Sequence, residues 1–407
     1  MNKTKENINK ILVLITWIVF FIFPTSFNGT RYTIMQEIIS WTVLSVVIVL
    51  FLMFNKINFK STIIGLIMII YMFIVTVIAN TNIEFEISIA RIAPIICVTA
   101  LFCIKMKNEI SFKYFEFILN VMCIILIIWN LATLLNITAM INFVVQNYTQ
   151  FYDYATKWQL TIGKPVFTFG VHNVAAFFYI QIFLLCYFSY SKKRNIIYIV
   201  YMLAILIFTL LLKSTTSLGF SLIMVGIFYF IIMKNVVYKY IYLFIYIFII
   251  FIAIGVFLNS SLFDSYMSML FSQHNGFIPR YLGENTIFAN NIEILKNNIL
   301  GIGFTIPRGD QQAYFADSGY MVYLTMGSVI FPIVLYYLFF KYVSSNVPKE
   351  CRKFFILTVI LFELSMPSFM YIRSIYFYLF TAAFYKSLAS VKSETKKLEE
   401  SQKTKMT

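Results

Sequence analysis

Long apolar runs separated by short polar intervals dominate the pattern along this chain. A bilayer span needs about 20 mostly apolar residues. The chain offers twelve such runs, near Ile11–Phe23, Ile34–Phe54, Thr62–Ala79, Ile87–Ile104, Phe115–Leu135, Val171–Tyr190, Ile196–Leu212, Leu218–Met233, Tyr240–Leu258, Gly319–Phe340, Phe354–Met370 and Ser374–Leu388. The expectation is an all-α integral membrane protein of about 12 transmembrane helices. Two polar intervals are long, about Asn136–Gly170 and Asn259–Ser318, and loops of that length in a compact protein usually carry function. The second lies between helices 9 and 10 and contains a helical repeat. Phe288, Ile292, Leu295 and Ile299 recur on one face, with Pro279 suited to a start and Gly301 and Gly303 to a stop. That pattern predicts an amphipathic helix lying in the headgroup plane.

Lysine and arginine orient the spans. Lys3, Lys5 and Lys10 precede the first; Lys56 and Lys60, then Lys105, Lys107 and Lys113, then Lys192, Lys193 and Arg194, then Lys234 and Lys239, then Lys341, Lys349, Arg352 and Lys353 follow the even-numbered ones. The loop after the third span carries Glu84 and Glu86 instead. By the positive-inside rule both termini are cytoplasmic and the two long loops extracytoplasmic. Residues 1–390 then form one polytopic domain in the cell membrane, and residues 391–407 a cytoplasmic tail expected to be disordered.

Composition sharpens this picture. Of 407 residues, 60% are hydrophobic and only 12% charged, with mean hydropathy +0.83, where soluble domains carry about 25% charged residues. Little is left for a separate soluble domain. Ile11–Phe23 lacks a small-residue cleavage site and reads as a retained first helix. The net charge of +15 reflects membrane topology rather than nucleic-acid binding. Cys97, Cys103, Cys123 and Cys186 fall inside apolar runs and Cys351 in a basic interval, which is neither a disulfide framework nor a metal cluster. No Walker loop or dinucleotide fingerprint is present.

Sorting the cations by side exposes an asymmetry. Five of seven arginines (Arg31, Arg91, Arg280, Arg308, Arg373) are placed outside, against four of twenty-five lysines (Lys157, Lys164, Lys213, Lys296). Arginine's rigid fork matches phosphate bidentately. Arg31 and Lys157 read as snorkelling residues at helix ends. Arg91, Arg373 and Lys213 sit at mostly apolar helix ends near the outer interface, and Arg280 in the polar loop. Together they point to an anion at the outer leaflet, for which a lipid pyrophosphate is the obvious candidate. Glu363, within the eleventh span, needs a partner there. It either pairs Arg91 or Arg373, or serves as a base or sugar ligand. His172 and Asn173 stand where a helix re-enters the membrane, Asn173 either capping that helix or bonding a sugar hydroxyl; His274 lies in the large loop. Two isolated histidines do not make a zinc site.

Four segments in order resemble the Wzy-type polysaccharide polymerases and their relatives the O-antigen ligases: Lys164-Pro165-Val166-Phe167-Thr168-Phe169-Gly170-Val171-His172-Asn173; Ser214-Thr215-Thr216-Ser217-Leu218-Gly219; Arg280 followed by a helix and Asn298-Ile299-Leu300-Gly301-Ile302-Gly303-Phe304; and Asp317-Ser318-Gly319-Tyr320. The resemblance covers roughly Lys164 to Leu338. Leu218 stands where the family often has arginine, Ile299 where it often has proline, and Asp317-Ser318 where ligases usually show His-Asn, a difference that leans toward a polymerase. The resemblance implies a GT-C-like, metal-independent, inverting membrane glycosyltransferase without a cofactor, acting in O-antigen, capsule or similar polysaccharide biosynthesis. It would transfer an oligosaccharide from polyprenyl (undecaprenyl-type) pyrophosphate to a hydroxyl of a second lipid-linked repeat. Membrane lipid, a flippase and a chain-length regulator would be its partners. Arg280 with Lys164, Lys213, Arg91, Arg308, Arg373, His172 and Asn173 would bind the pyrophosphate or glycan, and Asp317, Glu363 or His274 would be the base. Asp317 starts a helix facing the outer leaflet and is the favoured base, unless it and Ser318 only cap that helix. The alternatives are a ligase-like glycan transferase and an oligosaccharide-lipid flippase, although transporters place their ionisable residues nearer the midplane.

Overall fold

The computed structural model describes residues 2–22, 34–81, 85–107, 110–148, 159–234, 263–264, 267, 287–307 and 318–406. The ninth span expected at Tyr240–Leu258 lies outside them, as do Asp317, His274, Arg280, Arg308, Arg31 and Lys157. The fold is helical: α1 Asn2–Phe21, α2 Ile34–Phe54, α3 Phe59–Ala79, α4 Ile89–Phe102, α5 Phe112–Leu134, α6 Thr138–Tyr148, α7 His172–Lys193, α8 Ile197–Leu211, α9 Thr215–Lys234, α10 Ile287–Asn297, α11 Gly319–Gly327, α12 Ile330–Asn346, α13 Lys349–Glu363 and α14 Ile372–Met406. Two short antiparallel ribbons join loops: β1 Lys56–Ile57 with β3 Ile104–Lys105, and β2 Phe85–Ile87 with β4 Thr305–Pro307.

Helices α7 and α14 form the centre. From Val174 to Cys186 every residue of α7 is buried, and Ile372 to Tyr385 of α14 are buried likewise. Apolar residues on all sides of a helix demand such a position. The rings interlock: Phe177 stacks on Phe362 at 4.2 Å and Phe20 meets Phe377 edge-on at 5.1 Å. The outer helices invert the rule that holds in water. Helix α3 exposes Ile63, Leu66, Ile67, Ile70, Phe73, Ile74 and Val77 while burying Ser61, Gly65 and Thr76. A Cβ on Gly65 would meet Thr99 Cγ2 at 2.5 Å; small residues bring α3 and α4 this close, as between membrane helices. Among the described residues, α3, α5 and α7 are long and apolar enough to cross a membrane, and several shorter apolar helices accompany them. This is the architecture of a multi-pass membrane protein.

Contacts tie helix ends together at both ends of the bundle. At the lysine-rich end Lys193 pairs Glu116, Lys192 pairs Glu350 at 3.6 Å, and Tyr114 donates to the Lys10 carbonyl at 3.1 Å. At the lysine-poor end β2 pairs β4, and Thr168 bonds the last turn of α1.

Three expectations need correction. The tenth span is broken, because Ser328 adopts φ 54° between α11 and α12; Tyr71 donates to the Gly327 carbonyl at 3.2 Å there. The eleventh ends at Glu363, followed by a 3-10 turn at Ser368–Met370 after Pro367. Helix α14 runs on through residues 391–406, whose Lys and Glu are good helix formers. Helix α10 is present and packs against α11, but Ile299 is exposed and buried Asn291 replaces it on the inner face, where Ile292 and Leu295 meet the main core and Ile294 meets Ala79, Phe85 and Ile302.

Candidate functional site

The segment before α7 is wound tightly. Gly163, Phe167 and Gly170 take φ of 73°, 54° and 86°, and the Lys164 amide bonds the Gln159 carbonyl at 2.9 Å. Aromatic anchors hold this knot: Phe167 lies 4.8 Å from Phe21, and Phe169 stacks on Phe178 at 4.6 Å. From below, Asn130 donates to the Tyr179 hydroxyl at 2.8 Å, and Tyr179 in turn donates to the Pro165 carbonyl. The Lys164 side chain is thereby buried.

Its ammonium reaches the Lys213 carbonyl at 3.5 Å. Lys213 closes α8 in the left-handed region, φ 49°. Immediately after it, Ser214 and Ser217 bond each other's amides reciprocally at 3.0 and 3.1 Å, a capping box that starts α9. Two lysines and the positive end of a helix therefore converge. Burial first, and the Lys213 charge second, hold the Lys164 ammonium down to about 8.

Arg373, fully buried at the start of α14, donates to the Thr168 carbonyl and to Thr168 Oγ1 at 3.3 Å, and its guanidinium lies 5.5 Å from the centre of the Phe169 ring. It thus belongs to the same knot as Lys164. Thr216 meets Ser365 at 2.6 Å, linking the start of α9 to the chain leaving α13. There Glu363 is fully buried. Neither Arg91 nor Arg373 is its partner. One carboxylate oxygen accepts from the Ser368 amide at 3.0 Å, from the Ser368 hydroxyl, and from Tyr323 at 3.4 Å. Its other oxygen lies against Gly319, where a Cβ would come within 1.7 Å.

The other candidates among the described residues are His172, Asn173 and Arg91. His172 and Asn173 open α7, half-buried. The N-cap is Val171, so Asn173 does not cap the helix. Ser318 is the N-cap of α11, but its hydroxyl makes no bond into that helix and faces the Glu363 carbonyl at 3.4 Å. Arg91 is buried on α4, just past β2. Thr168, Tyr179, Ser365 and Ser368 did not emerge from the sequence as site residues. A hydroxyl near an apolar helix end was the available signal, and it is a common one. No family model, curated protein or solved structure matches the chain.

Proposed function

We propose that the chain is a membrane-embedded polysaccharide polymerase with twelve spans, both termini cytoplasmic, and its site at the outer face of the cell membrane. The observation that carries this reading is the meeting of Lys164 and Lys213 at the lysine-poor end, with Arg373 tied to the same segment through Thr168. Paired cations beside a helix N-terminus suit a group that gains negative charge. The reaction breaks the bond from an anomeric carbon to a polyprenyl pyrophosphate and forms a glycosidic bond to a hydroxyl of a second lipid-linked unit. The leaving pyrophosphate keeps the electron pair and is held by Lys164, Lys213 and Arg280. The hydroxyl proton goes to Asp317, with Glu363 and His274 the other candidates.

The test is a strain in which this protein is replaced by Lys164→Ala. Chain growth should fall about 100-fold, the usual cost of removing one transition-state charge partner. Single lipid-linked units should then accumulate on the outer membrane face. Accumulation on the cytoplasmic face instead identifies a flippase, and a normal ladder left on lipid identifies a ligase.

A further inference from the structure

The lysine-rich end carries a second group of cations. In the β1–β3 ribbon Lys56 stands directly opposite Lys105. Side chains so placed lie about 5 Å apart at Cβ, and like charges there repel. The strand cannot slide to relieve this. Buried Asn346, at the end of α12, donates to the Ile104 carbonyl at 2.9 Å and accepts the Met106 amide at 2.7 Å, fixing Lys105 between them.

The turn that contains Asn346 holds two more cations. Arg352 donates to the carbonyls of Val347, at 2.8 Å, and Ser344. Lys386 reaches the Ser345 carbonyl at 3.4 Å and lies within electrostatic reach of Lys105, Arg352 and Lys56. Four charges thus converge from β1, β3, α13 and α14. The carbonyl end of α12 offsets about half a charge. Among the described residues the ion pairs are Lys10–Glu6, Lys192–Glu350 and Lys193–Glu116, and none uses these four. Lys56 and Lys105 are exposed and the other two half-buried, so the group opens to the surface. Orienting the spans requires lysines at this end but not their register; Lys60, Lys349 and Lys353 orient equally from separate positions.

We propose that Lys56, Lys105, Arg352 and Lys386 bind a phosphate group, supplied by an anionic phospholipid headgroup or by free phosphate. The anion neutralises an arrangement that is otherwise repulsive. This site is independent of the transfer reaction proposed above.

The full-length protein is purified into nanodiscs of phosphatidylcholine alone, of phosphatidylcholine with inorganic phosphate added, and of phosphatidylcholine with phosphatidylglycerol. Lys56→Gln/Lys105→Gln is compared with wild type and with the control Lys349→Gln/Lys353→Gln. In phosphatidylcholine alone the Lys56/Lys105 variant should melt at or above wild type, because the repulsion is gone. With phosphatidylglycerol, wild type and control should gain stability and the Lys56/Lys105 variant should not. Retention of the lipid in native mass spectrometry should weaken about fivefold per lysine removed. The same gain with inorganic phosphate alone identifies free phosphate as the ligand; a gain only with phosphatidylglycerol identifies the lipid. Equal loss in the control, no gain by wild type with either anion, or a Lys56/Lys105 variant that melts below wild type without anion overturns the proposal.

Discussion

Lys164 sets activity and stability against each other. Its ammonium titrates near 8 rather than at the usual 10.5 because the fold buries it beside Lys213. Folded protein gives up this proton near pH 8, whereas the unfolded chain keeps it up to about pH 10.5. The unfolded state therefore binds more protons across that window, and this group's contribution to stability rises with pH there. In the transfer reaction proposed above anion binding needs the charged form, so the KM for a lipid-pyrophosphate donor should rise as pH increases through about 8 while the melting temperature rises with it. Lys164→Arg, charged throughout, should flatten the KM profile. Gly319 is a second sensitive position. A Cβ there would meet Glu363 Oε2 at 1.7 Å and Pro367 Cα at 3.0 Å, and Ser368 keeps the carboxylate from turning away. Gly319→Ala should destabilise by about 1–3 kcal/mol. Glu363→Ala removes the obstacle, so a double-mutant cycle followed by thermal unfolding in detergent should show the double variant less destabilised than the sum of the singles.

Among the elements, the run Leu300–Phe304 turns out to be a staple. The amides of Ile302 and Gly303 bond the carbonyls of Thr325 and Met326 at 2.8 and 2.7 Å, and the Phe304 amide bonds Thr76 Oγ1 at 2.9 Å. These bonds fasten the far side of α10 to α3 and α11 and deliver β4 to β2. Gly303 has φ 63°, and a Cβ there would come within 2.5 Å of the Thr76 amide nitrogen, so Gly303→Ala should release the β2–β4 ribbon, read as faster hydrogen exchange at Glu86 and Ile87. Gly219→Ala and Gly226→Ala, with open space at both positions of α9, should instead be neutral or stabilise by up to about 1 kcal/mol. Both glycines of the staple are legible in the sequence as a helix stop, because glycine spacing is local. The break at Ser328 is not legible there, since the apolar run continues across it and the φ of 54° is a tertiary result. The partnership of Glu363 with Ser368 and Tyr323, rather than with an arginine, was equally hidden: apolar periodicity carries no record of which hydroxyl a carboxylate will face.

For the whole molecule, the apolar runs were legible as helices, and Lys192 pairs Glu350 at one end of the bundle while Thr168 bonds Phe21 at the other. Depth and distance were not legible. The meeting of Lys164 with Lys213 depends on ring packing around Phe167 and Phe169 that no span count reveals. Cysteine labelling tests the sidedness directly. All five native cysteines are buried, so background is low; a Cys at exposed Lys296 should react with an impermeant reagent from outside, and one at exposed Lys349 should not. The reverse pattern would invert every assignment of side. The position of α14 has a further consequence, for the order of assembly. One of the two central helices, α14, is made only after α1 to α13, and it packs along α1. Until the ribosome has released Leu388, the early helices surround a space whose permanent occupant does not yet exist. Phe20 and Phe115, which both contact Phe380, must meanwhile be covered by lipid or by a membrane chaperone. A nascent chain stalled at the Lys349 loop should therefore be recognised and degraded, although most of its spans have already been inserted.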